Sequence, residues 1–323
     1  MLLFDTNINF SDLKVPNGKV LRVILSLFLS LFGFLGLPSI AGEKISQSLM
    51  TEETSKVKIC NDRGSIRVNT WDKNEVLVKG QIDDLADHFI FDKKDDLILI
   101  EVKLSAKHAH GKNNGKGSEL EVWLPKKHDL QYNGIATDLS LNGLGGEVNI
   151  NSVSGAINAE SISGNLRIRN ISGKIQLNDV SSQIDISTVS GDLNAKVTSS
   201  LIKVKAISSD IFVVTKQIEN INLFSISGST KLSGELNKHG EIKLENISGE
   251  SFFFFKEPIN AKVSIETGPD GSIINRVKPF EKKNSHLNSQ QQAFIEGIGN
   301  AKITLRTVSG KVGLKGYKEM NKR

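Results

Sequence analysis

From His128 to Gln217 the chain repeats itself every nine residues, in ten consecutive blocks that begin at His128, Thr137, Gly146, Gly155, Gly164, Gly173, Ser182, Gly191, Ser200 and Ser209. Apolar residues recur at the third and fifth positions of a block, as in Leu166/Ile168, Ile175/Leu177 and Ile184/Ile186. They recur again at the eighth, in Val153, Ile162, Ile171, Val180, Val189 and Ile207. Two apolar positions with a polar residue between them describe a short strand with one buried face. The Ser-Gly or Ser-Ser that follows is a corner, where glycine takes backbone angles that other residues resist. One strand and one corner cannot bury an apolar face alone, but stacked copies can, and a stack of this kind is a solenoid. The expected fold is all-β, a single-stranded β-helix or β-solenoid, right-handed by the usual crossover preference. Positions three, five and eight should point inward. Two blocks should complete one coil, so that blocks eighteen residues apart share a sheet.

After Gln217 the pattern returns with shifted phase at Glu219 and Gly228, then at Gly240, Ala261, Ala301 and Gly310, giving a solenoid over 128–317 and a tail at 318–323. Insertions between blocks should leave from corners, because a strand cannot absorb an extra residue without turning its buried face outward. The largest is a loop at about 269–297, with a short helix expected near Gln290 to Ile295. Residues 42–127 hold strand-like segments with looser spacing, Ser65 to Trp71, Glu75 to Ile82, Leu97 to Leu104 and Leu120 to Leu124. An open solenoid end would expose strand edges and apolar core, so this section is read as a β-rich amino-terminal cap.

Residues 1–41 read as a leader and signal peptide. Lys19 and Arg22 precede an uncharged apolar run from Val23 to Leu37, and Ser39-Ile40-Ala41 supplies small residues for cleavage after Ala41. The protein is therefore expected to be exported, to the periplasm or the cell surface, with an uncleaved membrane anchor as the alternative. The whole chain carries a formal charge of +5, and residues 1–41 hold Lys14, Lys19 and Arg22 against Asp5 and Asp12, so about +4 remains after cleavage. With two Trp and two Tyr there is no stacking platform for bases, and nucleic acid is not an expected partner. Cys60 is the single cysteine, which excludes an internal disulfide and suits a small residue near a strand end.

The segment GSIRVNTWDKNEVLVKG from Gly64 to Gly80, the strand ending in Leu124-Pro125, the many Val/Ile-Ser-Gly corners and the closing ITLRTVSGKVGL from Ile303 to Leu314 resemble one bacterial family. It is the "putative adhesin" family, also called domain of unknown function 4097, and the resemblance runs from about Lys56 to Leu314. It implies a β-helical domain of exported or envelope-associated proteins and transfers no catalytic residues. The Ser-Ser corners at Ser182, Ser200 and Ser209, the off-pattern Lys216 and the loop before Gly297 depart from it and leave the coil count open.

Several chemistries are poorly matched by these residues. Calcium-binding nonapeptide rolls need Gly-Gly-x-Gly-x-Asp, which no block has. His108 and His110 could supply two ligands to zinc or copper, but no third ligand is near in sequence, and no cofactor is expected. Glu147, Asp185, Asp192 and Asp210 face outward in the repeat phase, as acids on any soluble strand do. A carbohydrate-active enzyme, a lyase or hydrolase on a β-helix, is the alternative to a non-enzymatic binding module. The candidate ligand-binding residues are Arg167, Arg169, Lys203 and Lys205, two basic pairs on one expected face with Asp185 between them. Their expected ligand is an anionic envelope polysaccharide, a lipid headgroup or an envelope protein. In the run Phe252, Phe253, Phe254 and Phe255, two rings should point away from the interior and offer a contact to a partner or membrane.

Overall fold

The structure, a computed structural model, describes residues 42–105, 115–256, 258–278 and 289–320. The leader and signal peptide, His108 and His110 lie outside the described residues. Ahead of the repeats come β1 (Lys44–Met50), β2 (Lys56–Trp71), β3 (Glu75–Gln81), β4 (Ala86–Lys94), β5 (Leu97–Leu104) and β6 (Ser118–Pro125). The repeats supply β7 (Asp129–Asn142), β8 (Val148–Ser154), β9 (Ile157–Glu160), β10 (Leu166–Asn170), β11 (Ile175–Asn178), β12 (Ile184–Ser190), β13 (Leu193–Lys196) and β14 (Leu201–Ser208). Longer strands follow: β15 (Ile211–Ser227), β16 (Thr230–Phe255), β17 (Ala261–Thr267), β18 (Gly271–Asn275), β19 (Gln290–Glu296) and β20 (Ala301–Gly316).

Each coil is two blocks long. Leu166 pairs in parallel with Val148 on one side and Ile184 on the other, and Ile175 pairs with Ile157 and Leu193. One sheet is built from the first half of β7 with β8, β10, β12 and β14, the second half of β15 and the middle of β16. The other contains the second half of β7 with β9, β11, β13 and the first half of β15. Leu166, Ile168, Ile175, Leu177, Ile184 and Ile186 are at most 1% exposed, so third and fifth positions form the core as expected.

The eighth position divides into two kinds, and here the expectation of uniform inward pointing is corrected. In the first sheet the strand continues through position seven. Alternation then sends Ser152, Asn170 and Thr188 inward and leaves Val153, Ile171 and Val189 43%, 52% and 44% exposed. In the second sheet the strand stops earlier, and position seven takes left-handed backbone at Gly143 (φ 84°), Ser161 (φ 54°) and Asp179 (φ 51°). That single left-handed residue reverses the direction of the next side chain, so Leu144, Ile162 and Val180 are fully buried. The inward polar residues of the first sheet hold the corners: the Asn170 side-chain amide donates to the Gly173 carbonyl at 3.0 Å and the Ser225 hydroxyl to the Ser227 carbonyl at 2.8 Å. From outside, the Ser154 hydroxyl donates to the Ile135 carbonyl of the preceding coil at 3.0 Å, a bond repeated by Ser172 to Val153.

At both ends the stacking order departs from chain order. β2 pairs in parallel with both halves of β7 on one side, and with β5 and then β6 on the other. β20 lies between β16 on one side and β17 and β18 on the other. The first and last coils are thus each held one layer in, between neighbours on both sides. The outer coils are covered by antiparallel strands: β4 on β5, β3 on β6, β1 on β3 and β19 on β17. These close edges that would otherwise template pairing with another chain.

The region read as a loop at about 269–297 contains β18 and β19, and the helix expected near Gln290 to Ile295 is a strand. The edge of β17 offers a full ladder, Ala261 to Glu296 through Thr267 to Gln290, and this pairing overrides local preference. The phenylalanine run is corrected as well. Phe253 and Phe255 face the main core, while Phe252 and Phe254 point outward but are only 1% and 2% exposed. Met320, just after a 3-10 turn at Tyr317–Glu319, closes over them with Phe212, Val214 and Ile274 alongside. The Lys315 ammonium stands 3.5 Å from the Phe252 ring centroid, and its burial there lowers its pKa. Phe252, Phe253 and Phe254 therefore present no free surface to a partner.

Candidate ligand-binding face

The outer side of the first sheet carries three parallel ladders, because every long-strand block contributes its fourth, sixth and eighth residues to the same surface. The fourth-position ladder runs Gln131, Asn149, Arg167, Asp185, Lys203 and Asn222, each paired with the next. The sixth runs Asn133, Asn151, Arg169, Ser187, Lys205 and Phe224. All four sequence-predicted cations are brought together here, Arg167 and Arg169 on β10, Lys203 and Lys205 on β14, with β12 between them. Two layers of about 4.8 Å separate the pairs by about 10 Å.

Asp185 stands between the pairs, and its contact with Arg167 is loose, 3.9 Å from the guanidinium Nε. Among the described residues Arg169, Lys203 and Lys205 make no ion pair, so their charges are available to an incoming group. At the amino-terminal side the ladder is neutral and self-bonded, with the Asn151 side-chain amide donating to Asn133 Oδ1 at 3.0 Å.

The eighth-position ladder is the feature the sequence reading turned the wrong way. Ile135, Val153, Ile171, Val189, Ile207, Ile226, Ile247 and Val308 lie on consecutive coils and are between 39% and 57% exposed. Between this ladder and the sixth-position ladder runs a groove of about 840 Å³, lined by Ile135, Val153, Ile171, Val189 and Ile207 and, on its wall, by Arg169 and Lys205. The half-buried Cys60 lines its amino-terminal end, where the Asn133 amide approaches the thiol sulfur at 3.7 Å.

The outward carboxylates do not converge. Asp192 Oδ1 accepts the Asp210 backbone N–H at 3.1 Å, and Asp210 Oδ1 accepts that of Ser229 at 2.7 Å, so both support corners of the next coil. Glu147 accepts from the Asn149 amide at 3.0 Å, and Asp185 sits on the basic face. The second sheet presents Asn158, Gln176 and Asn194 in register, a neutral ladder. Among the described residues there is no group of three or more His, Cys, Asp or Glu placed to hold a metal, and no helix is long and apolar enough to cross a membrane.

Two solved structures are similar to the chain over most of its length. One is a "putative adhesin" from Bacteroides fragilis, 12% identical, covering 84% of this chain and 97% of that one with a TM-score of 0.40. The other is a "putative cell adhesion protein" from Clostridium sporogenes, 12% identical, covering 85% of this chain and 100% of that one with a TM-score of 0.25. No curated protein shows a significant match. A family sequence model described as Toastrack DUF4097 matches residues 54–315, which takes in β2 and all but the last residue of β20. With both inner terminal coils and everything stacked between them inside that match, the chain belongs to the Toastrack DUF4097 family.

Proposed function

We propose that the protein is an exported, non-enzymatic binding module of the bacterial envelope or cell surface, and that it engages anionic envelope material through the outer face of the first sheet. The observation that carries this reading is the placement of Arg167, Arg169, Lys203 and Lys205 on one regularly spaced sheet face, three of them without an ion-pair partner among the described residues. Arginine and lysine at a repeat of about 10 Å can meet successive anionic groups of a polymer or headgroup layer. The employment of Asp192, Asp210 and Glu147 in corner and side-chain hydrogen bonds favours binding over acid–base catalysis. Export is supported by the basic, apolar and small-residue order between Lys19 and Ala41.

The test is binding of the protein to anionic envelope extract across a salt series. Replacing all four cations with Gln should weaken binding on the order of tenfold or more and flatten its salt dependence, since four exposed charge contacts are each worth up to ~1 kcal/mol. The melting temperature should stay within about 2 °C, because the side chains are on the surface. Binding by the quadruple variant as tight as wild type would remove the reading. For export, mass spectrometry should find a mature terminus at Gly42, and cytoplasmic protein retaining Met1 would contradict it.

A further inference from the structure

The groove beside the cations is too regular and too apolar to be an ordinary solvated strand face. Soluble strands alternate to polar residues on their outer side, whereas here eight consecutive coils each expose an aliphatic residue. The groove's volume of about 840 Å³ is within the range of small-molecule sites. We infer that it binds one long-chain anionic amphiphile as a monomer, the headgroup over Ser187 between Arg169 and Lys205 and the alkyl chain along Ile171, Val153 and Ile135. The inference deepens the proposed function and rests on the same face.

Dimensions and charge together select this occupant. From Ser187 to Ile135 the groove crosses three layers, about 14 Å at 4.8 Å each. One acyl chain spans about half of a 30 Å bilayer core, roughly 15 Å. One wall of the groove repeats Ile and Val at every layer and the other carries the sixth-position residues, with Asp62, Glu101 and Lys103 at the amino-terminal end. The repeated aliphatic wall accommodates a uniform methylene chain and gives a peptide little by which to sort its side chains. A second copy of this chain is disfavoured, because two-fold packing across the ladder would set the Arg167/Arg169 and Lys203/Lys205 pairs near their own like charges. The groove is concave, so its aliphatic residues receive a chain more readily than they insert into a bilayer. At the headgroup position Arg169 and Lys205 contribute charge and Ser187 a hydroxyl, all three on the sixth-position ladder.

Calorimetric titration of the purified protein with octyl, decyl and dodecyl phosphate, each below its micelle concentration, tests the inference. Inorganic phosphate, dodecyl trimethylammonium and phosphatidylglycerol vesicles serve as comparisons. Affinity should rise about two- to fourfold per added methylene, the range from partial to full burial of that group. Dodecyl phosphate should bind at least tenfold tighter than the cationic amphiphile. The double variant Val153→Ser/Ile171→Ser should fold normally, because both side chains are already about half exposed, and should lose the chain-length dependence. Arg169→Gln/Lys205→Gln should keep that dependence and lose the preference for phosphate. Equal affinity for inorganic and dodecyl phosphate, equal binding of both headgroup signs, an unchanged chain-length series in the aliphatic variant, or binding to vesicles without binding to monomers would each overturn it. If the alkyl phosphates fail while the quadruple Gln variant still loses envelope binding, the amphiphile is wrong and the basic face stands. Failure of both removes the face itself.

Discussion

His128 is fully buried, and its Nε2 lies 3.0 Å from the Thr51 hydroxyl, which in turn donates to Ser55 at 3.0 Å. Thr51 therefore accepts from Nε2–H, leaving a neutral ring whose Nδ1 has no partner among the described residues. Burial, the largest cause, lowers the His128 pKa below its ordinary 6.5; Asp129 opposes the shift and Lys93 adds to it. Below about pH 6.5 the unfolded chain takes up a proton that the folded chain refuses. This site's contribution to stability is thus fully present above that pH and is lost as pH falls through it toward the folded value. The melting-temperature difference between wild type and His128→Asn should shrink as pH drops from 7 to 5, and a widening difference would contradict the buried neutral ring. Two neighbouring positions test the strand's phase in the same way. Ile168→Asp places an unpaired charge in the core and should destabilise by several kcal/mol, while Arg169→Ser should cost roughly half a kcal/mol or less. Gly173 is a third such position: at φ 111° an added Cβ would lie 2.1 Å from the Gly155 carbonyl oxygen, so Gly173→Ala should lower the melting temperature by several degrees.

At the scale of elements, two similar nine-residue blocks fold differently because of one residue each. The third and fifth positions were legible from period alone, since Ile and Leu at a spacing of two can only line a buried face in a short strand. The eighth was misread because Val153 and Ile162 look alike in sequence, although one is outward and the other buried. The signal lay one residue earlier. Gly143 and Asp179 are of types that tolerate left-handed backbone, whereas Thr188 prefers to continue a strand, but Ser161 and Asn170 invert that preference and make the pattern hard to read locally. The cationic pairs were placed correctly because their register follows from the eighteen-residue coil alone. The phenylalanine cover was not legible, since Met320 is distant in sequence and carries no periodic mark. Met320→Asp should uncover Phe252 and Phe254, raise binding of a hydrophobic dye and lower the melting temperature. An unchanged dye signal would mean that the terminal turn does not close that cluster.

Across the solenoid from Lys44 to Met320, the chain's first and last family coils are clamped inside later and earlier ones, respectively. Fraying from either end must first remove an outer coil, so amide exchange in β2 and β20 should be as slow as in β10 and β12, with β4 and β19 exchanging fastest. Exchange in β20 as fast as in β19 would contradict the order of stacking. The same arrangement keeps the aliphatic ladder continuous from β7 through β20, with the two cationic pairs beside it on β10 and β14, since no terminus interrupts the first sheet between them. Whether the binding face exists depends on the alternation of the two block types. Cysteine accessibility measures that alternation directly. With Cys60 replaced by Ser, single cysteines at positions 162, 171, 180 and 189 are labelled with a maleimide in the native protein and the rates compared. Ile171→Cys and Val189→Cys should react at rates near those of exposed thiols, and Ile162→Cys and Val180→Cys only as fast as the protein opens. Four equally protected thiols would return every eighth residue to the core and abolish the groove.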